Sequence, residues 1–388
     1  MCRDYLRPAL LIFASIAIGV VGWSGHVLLL PVALGFPVLW SIARTRSVAA
    51  LISAGYFLAA SRGLPRGVAA FYSSDIWPGL LLWLCASMSF VAVHSVLWTK
   101  NPNVRPFRYL LAAIIMSIPP FGITGWAHPV TAAGVLFPGW GWWGLWLMTA
   151  GLAGLVTRIW PAVAITLMGL WLWSAASWTE PGLPNGWRGV DLELGASLGR
   201  DAGLHRQRDL IATVRGAASD GAGFVVLPES ALGFWTPTVE RLWIRALSGG
   251  DATVIAGAAL LDAGGYDNVL VAIDRKGGSN ILYRERMPVP SSMWQPWRFL
   301  FGESGGARAD FFANPVVPIR AGRAAPLICY EQLIVWPVLQ SMLHDPDFII
   351  AVGNGWWTDG TSIVAIQRAA TTAWARLFAK PLVTAFNT

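Results

Sequence analysis

The stretch Ala325-Pro326-Leu327-Ile328-Cys329-Tyr330-Glu331 decides the reading of the C-terminal half. Its apolar run reads as a buried strand, and the cysteine follows where that strand must turn. A helix is predicted from Glu331 to Leu343, which sets Cys329 near a helix N-terminus, where a thiol's pKa is lowered and the thiolate favoured. Taken alone, the pattern also suits a small core residue. Glu331 either caps the predicted helix or acts in a site.

Upstream, Val225-Val226-Leu227-Pro228-Glu229-Ser230 ends a second apolar run in proline and then presents a carboxylate. Apolar neighbours desolvate such a group and raise its pKa toward the range of a general base. Downstream, Phe348-Ile349-Ile350-Ala351-Val352-Gly353-Asn354-Gly355-Trp356-Trp357 carries a third strand into a polar and aromatic loop. Asn354 and Trp356 either line a pocket above the strand ends or belong to a plain turn. Strands are predicted at Phe224–Leu227, Thr253–Ala256, Val269–Ile273, Ala325–Ile328 and Phe348–Val352, and helices at His205–Ala218 and Glu331–Leu343. This alternation predicts an α/β domain over residues 187–388, entered through the linker Pro181-Gly182-Leu183-Pro184-Asn185-Gly186.

The first 179 residues have a different texture. Hydrophobic residues make up 55% of the chain and charged ones only 13%, against about 25% in soluble proteins. Pro8 to Ala43 holds no Asp, Glu, Lys or Arg, too long a run for one span of about 20 residues. Similar runs at Ser47–Ser61, Ile76–Trp98, Tyr109–Thr157 and Ile159–Trp178 bring the expectation to about seven transmembrane helices. Basic residues then fall on one side, with Arg3, Arg7, Arg44, Arg46, Lys100, Arg105, Arg108 and Arg158 opposed only by Arg62 and Arg66. Lysine and arginine collect on the cytoplasmic side of membrane proteins, so the C-terminal domain is expected on the periplasmic face of the inner membrane. The net charge of +7 is thus topological and does not point to nucleic acid. Cys2, Cys85 and Cys329 share no metal-ligand spacing and make no disulfide framework. The first apolar run continues without a small-residue cleavage site, so the N-terminus reads as an uncleaved membrane segment.

In their order, Leu227-Pro228-Glu229-Ser230, a basic segment, Ile328-Cys329-Tyr330-Glu331 and Asn354-Gly355-Trp356-Trp357 resemble the carbon-nitrogen hydrolase (nitrilase) superfamily. Lys380-Pro381-Leu382 through Asn387 resembles that family's closing strand. With several spans in front, the layout looks like the apolipoprotein N-acyltransferase branch. The resemblance implies an α/β/β/α sandwich, a Glu-Lys-Cys site with Glu229 as base and Cys329 as nucleophile, and no cofactor or metal. It also implies a phospholipid acyl donor drawn from membrane lipid and a protein or peptide amine as acceptor.

The sequence departs from that family at its cation. Where a Tyr-x-Lys is expected, Tyr283-Arg284-Glu285-Arg286 stands, and ungapped alignment puts Glu285 at the lysine position. A one-residue shift brings in Arg286 or Arg284, of which Arg286 is taken here as the third catalytic residue because a guanidinium stays charged and offers several donors. A second acidic residue of the family falls on Met293, and a histidine falls on Gln367. Met287-Pro288-Val289-Pro290 and Ser292-Met293-Trp294-Gln295-Pro296-Trp297 instead resemble a plasmid-borne, conjugal-transfer relative of the acyltransferases, which makes a conjugation component a candidate acceptor. The chain also stops at Thr388 without the final span those acyltransferases carry. Trp294 and Trp297 lie in an aromatic segment, Met293 to Phe301, that reads as a lid admitting acyl chains or as domain core.

Overall fold

The protein is described from a computed structural model that covers residues 2–195, 203–250, 252–274, 278–302, 304–313 and 315–388. The chain forms two compact units. The first comprises residues 1–181, 333–336 and 360–379, and the second residues 182–332, 337–359 and 380–388. The first crossing falls between Pro181 and Gly182, and the helix Ile363–Leu377 clusters with the N-terminal unit.

That first unit is helical, though its helices are shorter than seven full spans require. Ile76–Leu97 is long and apolar enough to cross a membrane, and Arg46–Ala60 with Leu64–Tyr72 does so only as a pair bent by 48°. The uncharged run from Pro8 to Ala43 is a helix to Gly22, then a 3-10 stretch Val27–Leu34 and a short helix Gly35–Ile42. Tyr109 to Thr157 likewise divides into pieces, the longest being Gly141–Leu155, and the last run gives Trp160–Ala176. The interruptions follow from residues that end helices. Gly25, Gly139 and Gly141 adopt left-handed backbone, and Pro119, Pro120 and Pro129 lack the donor a continuing helix needs. An uncharged run therefore reports solvent preference without reporting helix length.

The second unit is a pair of facing sheets. Strands β1 (Trp187–Gly189), β2 (Phe224–Val226), β3 (Thr253–Asp262), β4 (Gly265–Ile273) and β5 (Ser279–Arg284) form one sheet in that order. β6 (Val317–Ile319), β7 (Gly322–Ile328), β8 (Phe348–Asn354) and β9 (Leu382–Asn387) form the other. β1, β2 and β3 run parallel, as do β7, β8 and β9. Because successive side chains on a strand alternate between faces, β2, β3 and β4 each serve two cores. Val225, Val254, Val269 and Val271 pack outward against the helices Leu204–Ser219 and Pro237–Leu247. Val226, Ile255 and Leu270, their neighbours, pack inward with Ile328, Ile350, Val352 and Val383 of the second sheet. This is the helix-sheet-sheet layering of a nitrilase-type α/β fold, and it brings the ends of β2, β5, β7 and β8 to one place.

Candidate active site

Cys329 follows β7 directly and has φ 45°. That left-handed conformation is uncommon for a residue with a side chain, and it persists only where the surroundings enforce it. Two glutamine and glutamate contacts do so. Gln332 Nε2 donates to the Val352 carbonyl at 2.8 Å, tying the turn to β8. The Ile328 N–H donates to Glu331 Oε2 at 2.8 Å, closing the turn on itself. The predicted helix over Glu331–Leu343 is instead a four-residue 3-10 turn, Cys329–Gln332, followed by a helix only from Val335 to Met342. Cys329 thus has no α-helix N-terminus to lower its pKa. Burial pushes its thiol well above the ordinary value, the carboxylates of Glu229 and Glu285 push the same way, and the Asn354 N–H opposes them.

Glu229 lies beyond the end of β2, in a segment that continues alongside β3. The Gly257 N–H donates to the Pro228 carbonyl at 3.1 Å, and the Leu232 N–H to the Gly257 carbonyl at 3.0 Å. Position 257 must be glycine for this approach, since a Cβ there would lie 2.4 Å from Glu229 Cα and 2.6 Å from Ser230 N. Glu229 is buried and hydrogen-bonds to Cys329, with Asn268 Nδ2 donating to its Oε1 at 2.6 Å. Burial raises its pKa to about 7, partly opposed by Cys329, Asn268 and the Asn354 N–H and reinforced by the charge of Glu331.

The same Asn268 amide nitrogen donates to Glu285 Oε2 at 3.0 Å. Glu285 is also buried, and its own N–H donates to the Asn268 carbonyl at 2.8 Å. One neutral amide thus holds two carboxyl groups side by side. Two full charges about 5 Å apart repel by about 3 kcal/mol even at an effective dielectric constant of about 20. Burial, Glu229 and Glu331, in that order, push the Glu285 carboxyl well above its usual range, against Asn268. Glu229 Oε2 and Glu285 Oε1 are buried with no hydrogen-bond partner among the described residues.

Arg286, expected beside Cys329, is placed elsewhere. Its guanidinium is buried with Nε donating to Tyr283 Oη at 2.8 Å, Nη1 to Gln340 Oε1 at 2.9 Å, and Nη2 to Ser341 Oγ at 3.1 Å and the Pro326 carbonyl at 3.5 Å. Nε lies 3.5 Å from Glu331 Oε1. The five donors of a guanidinium need partners when buried, and this cradle supplies them. Of the three candidates for the lysine position, Glu285 is the one whose carboxyl shares Asn268 with Glu229 and acts on the Cys329 thiol. Its place follows from the pleat, because Tyr283 and Glu285 share a parity and Arg284 between them is half exposed.

Glu331 is fully buried and serves as a fastening. It accepts from Tyr283 Oη at 2.7 Å, from the Arg286 N–H at 2.8 Å and from the Ile328 N–H at 2.8 Å. Burial raises its carboxyl, against the opposing charge of Arg286. Asn354 ends β8, where its side-chain oxygen accepts from Asn387 Nδ2 at 2.7 Å while its backbone N–H reaches Glu229 and Cys329. Trp356 is half buried in the turn after it. Trp294 packs edge-to-face on Phe311 with ring centroids 5.5 Å apart, and Trp297 is exposed, as are Leu300, Phe301 and Phe312. Asn268 carries no motif of its own, and alternation along β4 is the signal that points it inward. Among the described residues no group of three or more His, Cys, Asp and Glu side chains is arranged to hold a metal ion.

A buried cysteine on a left-handed turn, hydrogen-bonded to a carboxyl beyond the end of β2, sets a sulfur beside a group able to accept its proton. The family model for carbon-nitrogen hydrolases matches residues 58–376, most of the chain, and the chain belongs to that family. It is 72% identical to the probable conjugal transfer protein TraB of Sinorhizobium fredii over the full length of both. It is 62% identical to the conjugal transfer protein TraB of Agrobacterium fabrum, the match covering all of this chain and 94% of that one. Among solved structures, a mutant of the Nesterenkonia AN1 amidase from the nitrilase superfamily is 12% identical, the match covering 53% of this chain and 78% of that chain at a TM-score of 0.39.

Proposed function

We propose that this protein is a membrane-bound acyltransferase of the carbon-nitrogen hydrolase type. Cys329 takes an acyl group from a phospholipid and passes it to an amine on a protein or peptide. The observation that carries this reading is the hydrogen-bonded pair of Cys329 and Glu229, with a carboxyl whose pKa of about 7 suits a proton shuttle. Glu229 takes the thiol proton as sulfur adds to the ester carbonyl. The C–O bond then breaks, the departing alcohol takes that proton, and a thioester remains. An amine next adds to the thioester, the C–S bond breaks, and the thiol regains a proton as the amide leaves.

Membrane placement is part of the proposal. Trp77, Leu81, Trp143, Trp146, Ile165 and Trp173 of the first unit are large, apolar and exposed, a surface suited to lipid and costly in water. With the basic residues opposed as they are, the reading places the second unit on the periplasmic side of the inner membrane. Trp294, Trp297 and Phe301 would meet the acyl chain. The names of the TraB relatives suggest that the acceptor is a component of a conjugation apparatus.

The test is intact-mass analysis of full-length protein after incubation with phosphatidylethanolamine vesicles. An acyl adduct that hydroxylamine removes, present in wild type and missing in Cys329→Ala, is expected. Equal adduct in both forms, or none in either, would reject the reading. One observation favours a second reading, a membrane scaffold without catalysis: a carboxyl stands where the family has its lysine. On that reading Cys329→Ala and Glu229→Gln both support plasmid transfer at the wild-type frequency.

A further inference from the structure

The site has three buried glutamates and one buried guanidinium, and the guanidinium is committed. Arg286 faces Tyr283, Glu331, Gln340 and Ser341. The groups that face Glu285 are Glu229 from beyond β2, Asn268 from β4, and Cys329 and Glu331 from the turn after β7. Among the described residues none of these is a cation. Asn268 spends its amide nitrogen on Glu229 Oε1 and Glu285 Oε2, so each carboxyl keeps one oxygen, Glu229 Oε2 and Glu285 Oε1, buried and without a partner. Two anions joined through one neutral donor in a water-poor site do not coexist; one of them keeps a proton. The hydrogen bond from Cys329 and the Asn354 N–H both act to keep Glu229 ionised, and Glu285 has neither. The proton therefore belongs on Glu285, and its unpartnered oxygen is the one free to carry it.

We infer that Glu285 works as a neutral carboxylic acid, whose Oε1–H donates a hydrogen bond to the oxygen that becomes negative when Cys329 adds to an acyl carbonyl. The inference rests on the acyl-transfer reading and assigns to this residue the donor role that a lysine ammonium has elsewhere in the family. A carboxylic acid held neutral by burial can stabilise a developing oxyanion as an N–H donor does. The proton stays on Glu285 throughout, the hydrogen bond shortening as charge develops and lengthening as the carbonyl reforms, so no further reactant is needed. A charged Glu285 would do the reverse and repel both the thiolate and the oxyanion.

Two measurements on the full-length protein separate the protonation state from the reaction. The first follows alkylation of Cys329 by iodoacetamide, read by peptide mass so that Cys2 and Cys85 do not contribute, in wild type and Glu285→Gln across pH 6 to 9. With Glu285 neutral, the two proteins alkylate within about threefold of each other at neutral pH. They diverge only at high pH, where wild type slows relative to the variant as Glu285 ionises. A variant that alkylates tenfold or more faster at neutral pH means that Glu285 is an anion there, and this overturns the inference whether or not acyl transfer occurs. The second follows the burst of p-nitrophenolate from p-nitrophenyl butyrate. Glu285→Gln, which keeps a neutral donor of the same shape, should retain acylation within about tenfold, and Glu285→Ala should lose at least a hundredfold while alkylating normally. Acylation by Glu285→Ala at the wild-type rate overturns the donor role. Absence of any burst in wild type rejects the acyl-transfer reading and the donor role with it, while the alkylation result still decides the protonation state.

Discussion

Glu331 and Glu285 are both buried, both lie at strand ends, and both belong to one electrostatic cluster, yet their surroundings are opposite. Glu331 receives hydrogen bonds from a tyrosine and two backbone N–H groups and lies beside the buried guanidinium of Arg286. Glu285 receives one amide hydrogen and keeps an oxygen with no partner. A satisfied buried carboxylate fixes structure. An unsatisfied one costs stability, and proteins retain such costs where chemistry needs the group. The difference separates the side chains that hold the turn from those that would use it.

The largest effect expected from this contrast is on stability. Glu331→Gln leaves Arg286 buried without its counter-charge and should cost about 3–5 kcal/mol, read as a large drop in the thermal midpoint. Glu285→Gln exchanges a neutral carboxylic acid for a neutral amide of the same shape and should leave the midpoint nearly unchanged. Equal losses in the two variants would break the comparison. The next effect is on pH dependence. The pKa of Glu229 is raised from 4.5 to about 7 in the folded protein, so the folded state holds a proton more tightly than the unfolded chain. Its contribution is fully present below about pH 4.5 and is lost as the pH rises through 7, a decline of about 3 kcal/mol in all. Thermal midpoints of wild type should fall across that window, and Glu229→Gln should flatten the fall. The smallest effect concerns the arginines flanking Glu285. Arg284 is half exposed and pairs with Asp267; surface pairs contribute little, so Arg284→Ala should cost less than about 1 kcal/mol by thermal or denaturant unfolding. A cost comparable to that of Glu331→Gln would show that the surface pair and the buried one are of one kind.

Much of the second unit was legible because its physics is local. The strands at Phe224, Thr253, Val269, Ala325 and Phe348 begin or run where apolar stretches meet turn residues, and Glu229 and Cys329 stand just past two of them. The turn after β7 was less legible. Tyr330, Glu331 and Gln332 suit a helix by pattern, but Glu331 closes on Ile328 and Gln332 reaches β8, and these long-range bonds hold a 3-10 turn instead. Choosing between Glu285 and Arg286 required a partner far along the chain. The cradle at Gln340 and Ser341 that captures the guanidinium has no signature near residue 286. In the first unit, composition marks an apolar region, while the breaks after Gly22 and before Gly141 depend on Gly25, Gly139 and Gly141, whose effect a count of uncharged residues does not register.

The interleaving of the two units has a practical side. The chain crosses from one to the other near residues 181, 332, 336, 359 and 379, so no single cut releases either of them whole. A fragment starting at residue 182 would carry the helix Ile363–Leu377 with Ile366, Ala370, Ala373, Trp374 and Leu377, all buried in the intact chain, stripped of the N-terminal helices they cluster with. Excision and domain exchange, the usual routes for moving a catalytic module onto another anchor, are closed to this architecture. The hydrolase half and its apolar companion have to be made, inherited and engineered as one piece.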